Sequence, residues 1–218
     1  MALYAENILF DLDGTLTDPK EGITRSVQYA LSKLGIYADT EELVRFIGPP
    51  LVESFATFFS LSPSDCELAV KYYRERFSQV GIFENAVLDG IPEMLEKLVS
   101  AGAALALATS KPLVFAERIL ERYSLSRFFS VTVGSGLDGS LTDKAEVISA
   151  VLERMEINDP STAAMVGDRK HDIIGAKKNS IRSVGVYFGY AEPGELEASG
   201  ADRIACTVPQ LAKILLEG

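Results

Sequence analysis

The chain has 218 residues, 47% of them hydrophobic, which suits one generous domain or a core with a smaller insertion and argues against disorder. A formal net charge of −10, with no run of lysine or arginine, argues against a nucleic-acid polymer as partner, and any anionic ligand needs local positive charge from a metal, lysines or helix N-termini. Two distant cysteines, Cys66 and Cys206, and a single histidine, His171, argue against a disulfide framework or a structural zinc site. The N-terminus meets Glu6 before any signal-like segment, and the longest apolar run, residues 101–108, is too short to span a bilayer. A cytoplasmic protein with no membrane partner is expected.

Residues 6–10 read as a short buried strand that runs straight into Asp11 and Asp13. From residue 18 the apolar period becomes helical: Ile23, Val27, Ala30, Leu31 and Leu34 share a face, and Gly35 suits a C-cap. Further helices are expected at 40–47, 51–59 and 63–80, with no strand up to about residue 82. Thereafter helices at 91–100, 113–123, 144–155 and 173–179 alternate with apolar strands at 103–108, 130–133, 163–166 and 182–186. A short run at 202–205 and a helix at 208–216 close the chain. Continuous apolar strands alternating with amphipathic helices predict an α/β fold: a Rossmann-like parallel sheet with helices on both faces. Residues 1–17 and 83–218 would form this core, and residues 18–82 a helical cap inserted after the first strand.

Ligands of an open parallel sheet gather outside the carboxyl ends of its strands. Four such places carry polar residues here: Asp11 and Asp13; Thr109, Ser110 and Lys111; Lys144; and Asp168 with Asp172 in "GDRKHD". Three or four carboxylates at one rim repel each other unless a hard cation sits among them, and Mg2+ takes oxygen ligands while leaving room for a phosphate. One carboxylate can then attack phosphorus and another can move protons. Lys144, Thr109 and Ser110 can hold phosphate oxygens. Each piece alone is unremarkable: a DxD is common, a Ser/Thr/Lys triplet usually starts a turn, and a helix-start lysine is usually solvated. Their order and placement together carry the signal. By contrast "GSGLDG" at 134–139 formally matches GxGxxG, but its second half reads as a turn rather than the start of a helix, against a dinucleotide site.

The motifs "DLDGTLTD", "LALATSKP", "LTDKAEVI" and "VGDRKHDIIGA" resemble, in order, the four motifs of the haloacid dehalogenase superfamily, over essentially the whole chain. The resemblance implies a Mg2+-dependent phosphatase working through an aspartyl-phosphate. Asp11 would be nucleophile, Asp13 acid/base and Lys144 the third-motif lysine. Gly14, Thr109 and Ser110 would serve the phosphate, and Asp11, Asp13, Asp168 and Asp172 the metal. Asp13 departs from the dehalogenases themselves, and no histidine stands near Ile23, where β-phosphoglucomutases carry one. The subgroup implied is that of phosphoglycolate phosphatases and 5′-nucleotidases with a helical cap, although Lys144 is not followed by proline. The expected partner is a small phosphorylated metabolite, and the protein a monomer or homodimer. A phosphomutase or a non-catalytic module binding phosphate ligands are the rival readings. Substrate choice is expected from residues 45–51, where Arg45 offers a charge to a second anionic group and Phe46 a ring to a base.

Overall fold

The computed structural model describes residues 3–218. In chain order it contains β1 (Asn7–Phe10), β2 (Thr17–Asp18), α1 (Lys20–Lys33), α2 (Leu51–Phe59), α3 (Pro63–Phe77), β3 (Ala86–Val87), α4 (Ile91–Ser100), β4 (Ala104–Pro112), α5 (Leu113–Arg122), β5 (Val131–Ser135), α6 (Lys144–Arg154), β6 (Ala163–Gly167), α7 (Lys170–Lys178), β7 (Arg182–Val186), α8 (Glu195–Ser199), β8 (Arg203–Ala205) and α9 (Val208–Glu217). The chain divides into two compact units: the residues up to Thr17 together with Val87–Gly218, and Asp18–Ala86.

The first unit holds a six-stranded sheet in the order β5-β4-β1-β6-β7-β8, with every adjacent pair parallel. Ile8, Leu9 and Phe10 of β1 are fully buried, as a strand covered on both faces requires. Leu9, Ala106 and Met165 from adjacent strands pack with Val147, Ile148 and Val151 of α6 and Ala176 of α7. The register aligns Phe10 with Leu107 and with Val166. Asp11, Ala108 and Gly167, which follow these three positions, therefore lie at one level.

In the second unit α1 packs on α3. The close approach beside this pair depends on glycine: a Cβ on Gly22 would lie 2.1 Å from the carbonyl oxygen of Gly81. Arg76 of α3 clamps Glu84 through two hydrogen bonds of 2.7 and 2.8 Å and also reaches Ser26.

The elements differ from the sequence expectation in several places, and the short strands β2 and β3 were not foreseen. Residues 40–47 form turns and one 3-10 turn, Val44–Phe46, because so short a segment ahead of a Gly-Pro-Pro stop cannot sustain an α-helix alone. Helix α3 ends at Phe77, after which the chain turns through a 3-10 segment. Strand β4 runs past Ala108 to Pro112, with a register shift against β5 between those residues. Helix α7 begins at Lys170, three residues earlier than its apolar period suggested. Helix α8 was not foreseen; it lies between Gly194 and Gly200, both with positive φ. The "GSGLDG" stretch does turn: Ser140 N–H donates to Asp138 Oδ1, and α6 starts only after Asp143 caps it. Among the described residues, no helix is long and apolar enough to cross a membrane.

Candidate active site

The site is built where β1, β4 and β6 end. Asp11 follows β1, and its N–H still donates to Val166 O of β6, which fixes the backbone at the carboxylate. Asp168 follows β6 directly. Asp172 lies in the first turn of α7, where its Oδ2 accepts the Arg169 N–H at 3.1 Å. Oxygens of Asp11, Asp168 and Asp172 all lie within 4.8 Å of one another, and all three residues are buried.

One ammonium is set into this acidic trio. Lys144, at the start of α6, places Nζ 2.8 Å from Asp11 Oδ1 and 2.9 Å from Asp172 Oδ1, and donates to Ala108 O at 2.9 Å. The Lys144 ammonium is what meets the buried Asp172 Oδ1. Burial alone would lower the Lys144 pKa, but the facing Asp11 and Asp172 outweigh it and hold the ammonium above its ordinary range. Burial and then the charge of Asp11 push Asp172 up, against the pull of Lys144. Asp168 is pushed well up by burial, Asp11 and Asp172, although the Tyr190 N–H donates to its Oδ2 at 2.8 Å. Thr15 Oγ1 adds only a long contact of 3.4 Å to Asp168 Oδ1.

This is a surplus of buried negative charge. Three hard carboxylate donors converging within 4.8 Å, incompletely balanced by one lysine, fit a hard divalent cation such as Mg2+.

Asp13 stands apart from the trio. Its carboxylate lies 2.5 Å from Lys111 Nζ. Its second oxygen is buried without a hydrogen-bond donor. Burial raises its pKa and Lys111 opposes the rise. Lys111 reaches it because β4 shifts register between Ala108 and Pro112, carrying Thr109, Ser110 and Lys111 past the regular ladder. Thr109 is buried, and its Oγ1 accepts the Lys111 N–H at 3.2 Å; the Ser110 carbonyl accepts from Ser135.

Gly14 donates its N–H to Thr17 O at 2.7 Å. Its backbone has φ +82°, and a Cβ would lie 2.2 Å from Asp168 Oδ2, so glycine here makes room for a carboxylate. Arg45 belongs to the helical unit, where its guanidinium lies over the rings of Phe58 and Phe59 at 4.4 and 5.6 Å. Phe46 does not offer its ring to a ligand: it is buried and packs edge-on against Phe55 and Phe58. Sequence reasoning gave Lys111, Tyr190 and Glu195 no role. Lys111 was visible in "TSKP", but only the register shift turns it toward Asp13.

A family model described as haloacid dehalogenase-like hydrolase matches residues 8–186. A 5′-nucleotidase of Pseudomonas aeruginosa is 45% identical over 98% of this chain and 97% of its own length. The tyrosine-protein kinase PtkA of Mycobacterium tuberculosis is 35% identical over 95% of this chain and 72% of its own length. A crystal structure of a predicted phosphatase from Clostridium acetobutylicum superposes with a TM-score of 0.95 at 44% identity, covering all of both chains.

Proposed function

The chain belongs to the haloacid dehalogenase-like hydrolase family as one of its phosphatases, and we propose from that premise that it hydrolyses nucleoside 5′-monophosphates or similarly small phosphomonoesters through an aspartyl-phosphate. The observation that carries this reading is the acidic trio with a single ammonium inside it. A nucleotide ranks ahead of phosphoglycolate because of the 45% identity to a 5′-nucleotidase.

In this reading Asp11 attacks phosphorus and carries the phosphoryl group. Asp13 donates a proton to the departing ester oxygen and later takes one from the water that cleaves the acyl phosphate. Lys144 holds a phosphate oxygen by charge, while its links to Asp11 and Asp172 keep the nucleophile aimed. The hydroxyls of Thr109 and Ser110 donate to the remaining phosphate oxygens. Asp11, Asp168 and Asp172 would hold Mg2+, which when bound offsets their charge and that of the phosphate. Residues 45–51 of the helical unit choose the leaving group, with Arg45 as the charge that meets it.

The test is phosphate release from a panel of nucleoside 5′-monophosphates, phosphoglycolate, sugar phosphates and p-nitrophenyl phosphate, with Mg2+ or with chelator. Mg2+-dependent release, with nucleotides giving the highest kcat/KM, is expected. Undiminished turnover in excess chelator removes the metal from the reading. A preference for phosphoglycolate moves the substrate but keeps the chemistry.

A further inference from the structure

Past β7 the chain runs back over the acidic trio before it enters α8. The Tyr190 N–H meets Asp168 Oδ2, and Gly189 packs so closely that a Cβ there would lie 2.5 Å from the same oxygen and 2.3 Å from Gly14 O. Glu195 fastens the far end of this segment. Its Oε1 accepts the Lys170 N–H at 2.7 Å and the Arg169 Nε–H at 3.0 Å, and its Oε2 accepts the Glu192 N–H at 3.1 Å. Its side chain is 9% exposed. Burial would raise its pKa, but these N–H groups and the Arg169 guanidinium hold it below its ordinary value. The backbone of Arg169 in turn donates to Asp172 Oδ2. Two carboxylates of the trio are thus aimed from one tie: Asp168 through Tyr190, Asp172 through Arg169.

We propose that Glu195 is a positioning residue for divalent-cation binding, tying residues 187–195 to the N-terminus of α7 so that Asp168 and Asp172 stay converged. It rests on the reading of the trio as a cation site. Carboxylates held within 4.8 Å repel one another, and without a tie the two on β6 and α7 relax apart. Glu195 touches neither substrate nor cation. Its loss therefore weakens cation binding before any substrate arrives. Removing a group that orients metal ligands typically costs about 10- to 100-fold in metal affinity.

The experiment measures Mn2+ binding to the full-length chain by the paramagnetic resonance signal of free Mn2+, without substrate, alongside a thermal melt. Wild type should bind, and D168N should lose most binding. Glu195→Ala should raise the Mn2+ Kd about tenfold or more. Glu195→Gln should fall between, since one amide oxygen can still accept from Lys170 but not from Arg169 and Glu192 together. If Glu195→Ala keeps a Kd within about twofold of wild type, whether or not its Tm falls, the residue is merely structural and the proposal is overturned. Should Glu195→Ala not fold, Glu195→Gln decides by the same criterion. Absence of Mn2+ binding by wild type sinks the cation reading itself, and the role of Glu195 with it.

Discussion

Two groups of paired charge can be compared within the chain. In the helical unit the half-buried Arg76 and Glu84 share two hydrogen bonds, Arg76 makes a third to Ser26, and Arg25 approaches Glu84 at 3.9 Å. At the ends of β1 and β6 three carboxylates gather around one ammonium. The first group is balanced and has nothing left to bind. The second is arranged at a cost in repulsion that only a cation and a reacting phosphate would offset. Charge balance and depth together therefore separate the structural pair from the reactive group.

The largest effect that would break this contrast is expected at Asp11. Asp11→Asn should lower kcat by on the order of 10⁴ or more, as loss of a nucleophile does. Its Tm without metal should not fall, because one repelling charge has left the trio. Retention of more than about a tenth of the activity assigns the attack to another residue. Next comes Asp13→Asn, which should cost about 10²- to 10⁴-fold on an alkyl phosphate. The loss on p-nitrophenyl phosphate should be much smaller, since that leaving group needs little protonation. Equal losses on both esters would deny Asp13 a role in proton transfer.

The balanced pair should respond in the opposite currency. Arg76→Ala should lower stability by about 1.5 kcal/mol, the low end for losing hydrogen bonds to a charged group, since the pair is half-buried and Arg25 stays near Glu84. The kcat of the folded fraction should stay within about twofold. A kinetic loss without a stability loss reverses the assignment.

The acidic trio should also reveal itself through pH. Asp168 and Asp172 are raised above the ordinary carboxylate value in the folded chain. Below the ordinary value both states hold these protons, so folding incurs no penalty there. As pH rises through the raised values, the folded state must ionise against burial and its neighbours, and stability is lost. Lys144 is raised too, but its favourable contribution is already complete throughout this window. Metal-free protein should therefore melt lower at about pH 7.5 than at about pH 5, and Mg2+ should close most of the gap. Asp168→Asn should flatten the slope; an unchanged slope puts the pH response elsewhere.

The smallest effect is expected at Arg45. Arg45→Ala should reorder the phosphate esters while leaving p-nitrophenyl phosphate within a few-fold, because a remote contact is separable from chemistry at phosphorus. Uniform change, or none, removes Arg45 from substrate choice.

How far the sequence could be read depended on the range of the interaction concerned. The parallel sheet followed from unbroken apolar runs such as those of β1 and β6, whose burial on both faces leaves no polar alternation. The convergence of Asp11, Lys144, Asp168 and Asp172 followed from a topological rule, that strand ends share a rim. What stayed hidden was set by local backbone detail. The register shift that delivers Lys111 to Asp13 leaves no periodic trace in "TSKP". Gly14 reads as a phosphate loop glycine until the carboxylate of Asp168 is seen where its Cβ would be. Glu195 lies in "GYAEPGELEASG", a stretch without apolar period, and reaches the site through backbone N–H groups that no side-chain pattern encodes.

The position of β1 in the sheet also sets an order of events during synthesis. The strand leaves the ribosome before both of its hydrogen-bonded neighbours, β4 and β6, which begin at Ala104 and Ala163. The helical unit, confined to Asp18–Ala86, has its whole sequence available long before then. Its contacts are local, so it can assemble while Ile8, Leu9 and Phe10 still have no sheet to enter. Until β4 and β6 emerge the nascent chain therefore carries an apolar strand with no neighbour to pair with. The vulnerable interval for aggregation, or for capture by a chaperone, ends only as Gly167 emerges.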